Sequence, residues 1–291
     1  MDIPGLSVIG DSINPGFKSA RALFDNEDIE GIQALAKKQV DAGAAILDFN
    51  VGERATEDHA FLREVIGAIQ AAVDVPLCFD YPNFEFQEVC LKAYNDSLAN
   101  GQKPVINSIA ETRWEMAELL KVRPARVILM ASERMEDGRI VHNQRGEDVH
   151  AVAKRMINKL SDAYPMERDD FIVDISIGTL AADTEGLVRM ALDGIRLIAE
   201  DPDLEGVYIS GGLTNLVLML PKDAVDGSPL KPQLQSAFLT EAIPLGLNMI
   251  MCTPWNDYRI LPDDNFILQT FREIMQLKGM DALMAVMKLY K

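Results

Sequence analysis

Short apolar runs alternate along the chain with longer stretches in which apolar residues recur at helical spacing. A run of this length, bounded by Pro, Gly or polar residues, predicts a strand that is buried on both faces. The predicted strands cover residues 6–10, 45–51, 75–79, 105–106, 126–131, 171–173, 207–209 and 247–251.

The stretches between these runs predict helices. In the first of them, Ile29, Ile32, Leu35 and Ala36 share one face, acidic residues begin the segment, and Gly43 follows it as a stop signal. The predicted helices cover residues 28–42, 57–72, 84–100, 111–120, 147–163, 184–200, 233–245, 265–276 and 280–290. A tight turn is predicted at Asp137-Gly138, because this pair suits positions with positive φ.

The alternation of strands and helices predicts parallel pairing with right-handed crossovers. Eight such units in 291 residues favour a closed (β/α)8 TIM barrel over an open sheet. No Gly/Ser-rich linker divides the sequence, and residues 221–232 form its one loop-like insertion. We therefore expect a single domain that covers residues 1–291.

Composition limits the classes of binding partner that the protein is expected to have. The chain has 45 acidic and 28 basic residues, a net charge of −17, which argues against nucleic acid and anionic membranes. It has no basic, apolar leader at its start and no apolar run of about 18 residues, so a soluble protein is expected. Cys78 and Cys90 lie in apolar runs and are predicted to be buried thiols, which is typical of a cytoplasmic protein.

Polar residues end most of the predicted strands. In a parallel barrel these ends converge on one mouth, where barrels carry their chemistry. The set is Asp11, Asn14, Asp48, Asn50, Asp80, Asn107, Asp174 and the segment from Ser210 to Asn215. It contains no lysine for a Schiff base and no histidine, since His59 and His150 fall in predicted helices and His142 in a predicted loop. A catalytic metal is therefore not expected.

A mouth of Asp and Asn side chains favours a flat heterocycle with an amino group and ring N–H groups, such as a pterin or a guanine edge. One carboxylate can accept two parallel N–H bonds, and Asn offers a donor and an acceptor together. The alternative is that some of these residues cap helices or brace the fold. Capping or bracing is favoured for Asp48, whereas ligand binding is favoured for Asp80 and Asp174.

Six strand-end segments, taken in order, resemble those of the pterin-binding methyltransferases. They read IGDSIN, AAILDFNVG, PLCFDYPN, PVINSI, FIVDISIG and SGGLTN. These barrel enzymes move a methyl group between tetrahydrofolate and the cobalt of a corrinoid protein. They include methyltetrahydrofolate–corrinoid/iron–sulfur protein methyltransferases, the folate domain of cobalamin-dependent methionine synthase, and the second methyltransferases of bacterial O-demethylase systems. The resemblance covers residues 6–252 and implies a pterin-binding barrel of the dihydropteroate-synthase type.

The resemblance also implies roles for individual residues. Asp80, Asn107 and Asp174 would hold the pterin ring, and Gly212 would let the backbone approach it closely. Ser210 and Asn14 complete the predicted substrate-binding set. Asn215 corresponds to the family's Asn beside N5 of the pterin and is the predicted catalytic residue. The alternative for Asn215 is that it only caps the helix after the seventh strand.

The implied reaction is methyl transfer between a corrinoid protein and N5 of tetrahydrofolate, with no metal bound by this chain. The sequence lacks an Asp-x-His-x-x-Gly cobalamin signature, so the corrinoid is expected on a separate partner protein. A homodimer is also expected, because the family tends to dimerise and residues 280–290 are rich in apolar side chains. The alternative for that segment is docking against the barrel.

Two other functions stay open. Dihydropteroate synthase shares the barrel and the pterin pocket, but it must stabilise a departing pyrophosphate, normally with Lys and Arg near the last strands. Here those strands end in SGGLTN and MCTPW, and Arg259 lies further on. The other alternative is a non-catalytic pterin-binding barrel, against which the presence of Asn215 argues.

Overall fold

The protein is a parallel β-barrel surrounded by helices. The computed structural model describes residues 3–52 and 57–291. The barrel strands are β1 (Ser7–Ile13), β2 (Ile46–Phe49), β3 (Leu77–Asp80), β4 (Val105–Ile109), β5 (Arg126–Met130), β8 (Phe171–Asp174), β9 (Tyr208–Ser210) and β10 (Met249–Cys252). They pair in parallel in the order β10-β1-β2-β3-β4-β5-β8-β9.

The two edge strands of this order, β9 and β10, meet and close the barrel. The backbone N–H of Met251 donates to the carbonyl of Gly211 at 3.0 Å. The side-chain oxygen of Asn248 accepts from the N–H of Ile209 at 2.8 Å. The predicted (β/α)8 barrel is therefore confirmed.

The helices are α1 (Lys18–Asp25), α2 (Ile29–Asp41), α3 (His59–Ala72), α4 (Phe84–Ala93), α5 (Gly146–Ala163), α6 (Leu187–Ala199), α7 (Leu213–Leu216), α8 (Leu230–Ala242), α9 (Phe266–Ile274) and α10 (Gly279–Met287). The helix predicted over residues 28–42 is confirmed as α2. The Asp28 carboxylate caps it by accepting from the N–H of Gly31 at 2.9 Å, and Ile32 and Ala36 face the core.

Two predicted helices are wrong in extent or type. The helix predicted over 84–100 ends at Ala93, and Asn95 then caps a separate 3-10 turn, Asp96–Ala99. The helix predicted over 111–120 is a 3-10 segment, Glu111–Lys121, that is interrupted by Arg113 at φ −137° and ψ 49°. The short helices α1 and α7 were not predicted, since segments of eight and four residues carry little periodic signal.

An antiparallel hairpin, β6 (Glu133–Glu136) and β7 (Arg139–His142), follows β5 and was not predicted. The turn of this hairpin was predicted. Asp137 and Gly138 have φ of 48° and 75°, as a two-residue hairpin turn requires. The strands themselves were missed because they are mostly polar and exposed. His142, predicted in a loop, is the last residue of β7.

The hydrophobic core has two parts. The larger part lies between the barrel and its helices, and a smaller cluster fills the barrel interior. That interior cluster consists of Ile9, Ile46, Cys78, Val105, Ile128, Ile172 and Met249, with Tyr208 and Met251 packed against it. Cys78 and Cys90 are buried and free, as predicted, and so is Cys252.

Among the residues that the structure describes, no helix combines the length and the apolar character needed to cross a bilayer.

Candidate functional site

The floor of the barrel mouth is a layer of polar side chains directly above the apolar interior. Successive side chains of a strand alternate between its two faces, so the second residue after each interior apolar residue points the same way. Counting two residues on from the interior cluster gives Asp11, Asp48, Asp80, Asn107, Met130, Asp174, Ser210 and Met251. Four of the predicted binding residues, Asp80, Asn107, Asp174 and Ser210, therefore belong to one layer.

The register of the strands places these residues opposite one another in pairs. Asp80 is opposite Asn107 in the β3–β4 pair, and Asp174 is opposite Ser210 in the β8–β9 pair. Ser210 is buried, and its carbonyl accepts from the N–H of Ile175 at 3.0 Å. The register thus places two carboxylates on different sides of the mouth, each beside an uncharged polar side chain.

Gln87 holds the ends of β3 and β4 together. This fully buried residue of α4 donates from Nε2 to the carbonyls of Phe79 at 2.5 Å, Asn107 at 2.9 Å and Tyr81 at 3.2 Å. The sequence analysis missed it. The available signal was a lone Gln on the apolar face of α4, beside Phe86 and Cys90.

Asp80 is half-buried and lies next to a hydrogen-bond donor and a positive charge. Burial raises the pKa of its carboxyl, while a side-chain hydrogen bond from Asn50 and the positive charge of Arg113 lower it. The Arg113 guanidinium is held by a bond from Nη2 to the Ser108 hydroxyl at 3.0 Å. Sequence reasoning did not select Arg113, because its position relative to Asp80 depends on the irregular backbone after β4.

Asp174 is a second carboxyl whose surroundings change its acidity. Burial, and after it the nearby charge of Asp80, raise its pKa to about 6 against the opposing effect of hydrogen bonds from Ser176. The N–H of Ser176, a residue with φ of 53°, donates to Asp174 Oδ1 at 2.6 Å. The carboxylate is thereby oriented while it stays half-buried at the mouth.

Asp48 is buried in the same layer and does not cap a helix. The helix that follows, α3, is capped by Asp58, so of the two roles predicted for Asp48, helix capping is wrong and structural bracing stays a prediction. Burial, followed by the charges of Asp80 and Asp11, raises the pKa of Asp48 well above its usual range, and Cys78 and Asn107 only partly offset this. Its Oδ1 atom is buried without a hydrogen-bond partner. These surroundings favour the neutral, protonated form of Asp48.

Asn14 lies outside this layer, in the loop between β1 and α1. Its side-chain oxygen accepts from the N–H of Gly16 at 2.8 Å, which forms a local turn. Its Nδ2 group is not needed for that turn and is available as a donor. The position of Asn14 thus combines a local structural role with the predicted ligand contact.

Asn215 lies within α7, just beyond the end of β9, and its side chain is exposed. The N-cap of α7 is Gly212, and no side chain caps the helix, so the capping alternative for Asn215 is wrong. The backbone carbonyl of Asn215 accepts from the Thr179 hydroxyl at 3.1 Å. A Cβ atom on Gly212 would stand 2.9 Å from Asn215 Nδ2, so the glycine leaves room for this amide.

In the described part of the chain, no group of three or more His, Cys, Asp and Glu side chains is placed so that it could hold a metal ion. His150 on α5 contacts Asp201 at 2.7 Å, and His59 begins α3. The side chains of the mouth offer hydrogen bonds to a ligand, with the carboxylates as acceptors and the Asn amides as donors.

Solved structures of dihydropteroate synthases share this fold. The Burkholderia cenocepacia enzyme aligns with a TM-score of 0.59 and 18% identity over 85% of both chains. The Yersinia pestis enzyme gives 0.57 and 16% over 95% of this chain and 94% of that one. The Xanthomonas albilineans enzyme, in complex with 7,8-dihydropteroate, gives 0.55 and 17% over 95% and 94%. At these identities the likeness shows the fold alone.

Sequence comparison adds a relative and a family. Methionine synthase from Mycobacterium leprae (strain TN) is 24% identical over an alignment of 307 positions, which covers 99% of this chain and 24% of that protein. The chain thus spans about a quarter of the length of this curated relative. A family model described as pterin binding enzyme matches residues 13–252, from the end of β1 to the end of β10. This match covers the barrel strands from β2 to β10, and the chain belongs to the family of pterin-binding enzymes.

Proposed function

We propose that this protein is a methyltransferase that moves a methyl group between the cobalt of a corrinoid protein and N5 of tetrahydrofolate. The observation that carries the proposal is Asn215, an exposed carboxamide beside the polar mouth that does not cap its helix. Membership of the pterin-binding family and the likeness to a methionine synthase support it.

The pterin would lie on the polar layer. Asp174 and Asp80 can accept the N–H groups of its pyrimidine and pyrazine rings, and Asn107 can donate and accept at the edge between them. Burial and the charges of Asp80 and Asp11 raise the pKa of Asp48 well above its usual range, which disfavours a further negative charge beneath the ring. A neutral heterocycle rich in N–H donors fits this arrangement better than an anion does.

In the transfer, N5 of tetrahydrofolate attacks the methyl carbon, the cobalt–carbon bond breaks, and the bonding electron pair stays on cobalt as Co(I). N5 then loses its proton. In reverse, N5 must leave as an amine and needs a proton or a strong hydrogen bond as the bond breaks. By rotating about its side chain, the Asn215 carboxamide can accept a hydrogen bond from a protonated N5 or donate one to an unprotonated N5. It stabilises charge without acting as a conventional acid.

The proposed methyl transfer also implies protein partners. The corrinoid would be carried by a separate protein that places cobalt over the mouth. A homodimer is proposed as well, through α10, whose Met280 and Met284 side chains are 68% and 54% exposed. The opposite face of α10 packs on the protein through Ala282, Ala285 and Val286, so docking and dimerisation use different faces of this helix.

Dihydropteroate synthase is the second candidate, because solved enzymes of that name share the fold. That chemistry needs cations where pyrophosphate leaves. After β10, the first cation in the sequence is Arg259, which is paired with Asp257 at 3.6 Å and largely exposed. Between the end of β9 and Lys222, the sequence contains no Lys or Arg. The charge at these strand ends therefore favours methyl transfer.

The test is a transfer assay with purified protein, a methylated corrinoid protein and tetrahydrofolate, followed by cobalt absorbance and by 5-methyltetrahydrofolate formation. A parallel assay supplies p-aminobenzoate and the pterin pyrophosphate. Methyl transfer without dihydropteroate formation supports the proposal, and the reverse result assigns the synthase. Calorimetric titration with tetrahydrofolate then tests the site residues: Asp80→Ala and Asp174→Ala should each weaken binding by about 1.5–3 kcal/mol, as expected for a hydrogen bond to a charged group.

A further inference from the structure

One buried carboxylate joins three elements at the mouth. Asp11 Oδ2 accepts from the hydroxyl of Thr214 on α7 at 2.7 Å, and its Oδ1 accepts from the hydroxyl of Thr253 just after β10 at 3.0 Å. The residue is 7% exposed and lies on β1. It therefore ties β1 to both sides of the β9–β10 closure of the barrel.

Helix α7, which carries Thr214, is too short to be stable without contacts to the rest of the protein. Four residues do not form a stable helix alone, because the cost of nucleating a first turn exceeds what so few hydrogen bonds return. No side chain caps α7 at Gly212. The position of α7 must therefore come from contacts with the rest of the protein. One of these contacts is the hydrogen bond from Thr214, the residue next to Asn215, to Asp11.

We propose that Asp11 is a positioning residue, which fixes α7 through Thr214 and so places Asn215 over the pterin. This inference rests on the proposed methyl transfer. Asp11 itself does not touch the reacting atoms. Hydroxyl donors suit this role, because hydrogen bonds to a carboxylate are short and directional. Thr214, Thr253 and Ser12 all donate to Asp11, which favours its charged form against the effect of burial.

The chain supplies a matched control. Thr214→Val and Thr253→Val each remove one hydroxyl from the same carboxylate with almost no change in side-chain shape, but only Thr214 lies on the helix that carries Asn215. We expect Thr214→Val to lower the single-turnover methyl-transfer rate by about 10- to 100-fold, the range for a misplaced catalytic group, with folate affinity nearly unchanged. Thr253→Val should lose stability and keep most of its rate.

Two further measurements separate positioning from a general loss of structure. Thr214→Ser keeps the hydroxyl and should restore the rate. Hydrogen exchange of peptides that cover 212–219 should be faster in Thr214→Val than in the wild type, and unchanged in Thr253→Val. A wild-type rate for Thr214→Val, or equal rate losses in both valine variants, would overturn the inference.

The exchange measurement does not depend on activity. If the wild type transfers no methyl group, the proposed function fails, and faster exchange in Thr214→Val still supports Asp11 as the residue that fixes α7. If exchange in 212–219 is the same in all variants, the positioning role is overturned even when the wild type is an active methyltransferase.

Discussion

The amide nitrogen of Asn215 occupies the space that a side chain at Gly212 would need. A Cβ atom on Gly212 would stand 2.9 Å from Nδ2, closer than such atoms approach in proteins. Gly212 has φ of −80°, so its backbone conformation does not require glycine. Glycine at this position leaves the space that the neighbouring amide occupies.

Gly212→Ala should therefore displace the Asn215 side chain without unfolding the protein. We expect the methyl-transfer rate to fall by about 10-fold or more, as for a displaced catalytic group, with the melting temperature nearly unchanged. Gly67→Ala is the control, since Gly67 lies inside α3 with open space around its missing Cβ. That variant should keep full activity and gain about 0.5–1 kcal/mol of stability from better helix propensity. Equal rates in both variants would contradict the prediction.

Asn215→Ala tests the catalytic role directly. If the carboxamide stabilises charge at N5 mainly in the transition state, the single-turnover rate should fall by about 10²–10³ while folate affinity changes little. Stopped-flow transfer from the methylated corrinoid protein, alongside folate titration of the same variant, measures both quantities. A loss of affinity with an unchanged rate at saturating folate would make Asn215 a ground-state contact.

Asp174 should make stability depend on pH between about 4 and 6. Its folded-state pKa of about 6 lies above the value of about 3.9 for an unfolded chain, so the folded state binds the proton more tightly. The stabilisation is full below pH 4 and is lost as pH rises through 6, by about 3 kcal/mol in total, since each pKa unit corresponds to about 1.4 kcal/mol. Denaturant unfolding of the wild type and of Asp174→Asn at several pH values should show this difference between them. If the free energy of unfolding changes with pH in the same way in both proteins, Asp174 does not have the raised pKa assigned to it.

The Gln87 side chain should matter for both stability and ligand binding. Gln87→Leu removes the side-chain donor to the carbonyls of Phe79 and Asn107, which costs about 1–3 kcal/mol for each carbonyl that is left buried and unsatisfied. The Tyr81 carbonyl keeps the N–H of Asn83 as a donor. The substitution also loosens the pair of strand ends that carries Asp80 and Asn107. Gln70→Leu is the matched control. Gln70 is also buried and pairs with the backbone of Asn95, away from the mouth residues.

Both glutamine variants should therefore lose stability in chemical denaturation. Only Gln87→Leu should also weaken tetrahydrofolate binding in calorimetry. If Gln70→Leu weakens folate binding as much, the effect of Gln87 is a general loss of stability and not a local one at β3 and β4.

Hydrophobic patterning was sufficient to predict the barrel. Runs that are apolar on both faces can only be satisfied by burial between an interior and a layer of helices, and each polar residue that ends such a run must then come to the mouth. Asp80, Asn107, Asp174 and Ser210 were found in this way, and they do share one layer. Their roles in binding stay predictions.

Patterning failed where an element is set by a turn or a cap and has no continuous apolar face. The hairpin of β6 and β7 has polar, exposed strands, so only its Asp137-Gly138 turn left a signal. The helix predicted over 84–100 ends early because Asn95 begins a new turn, a local choice supported by Gln70 from α3. Neither outcome can be read from apolar spacing.

The sequence by itself determined the alternation of strands and helices, the identity of the polar residues at the strand ends and the family to which the chain belongs, because each of these is a property of residue order. Only the tertiary structure decided which of these residues interact. It brought Thr214 and Thr253 to Asp11 across more than two hundred residues, placed Arg113 near Asp80, and buried Asp48 where a charge is unfavourable. Such interactions arise from barrel closure and strand register, which bring distant segments within hydrogen-bonding distance and exclude water from between them.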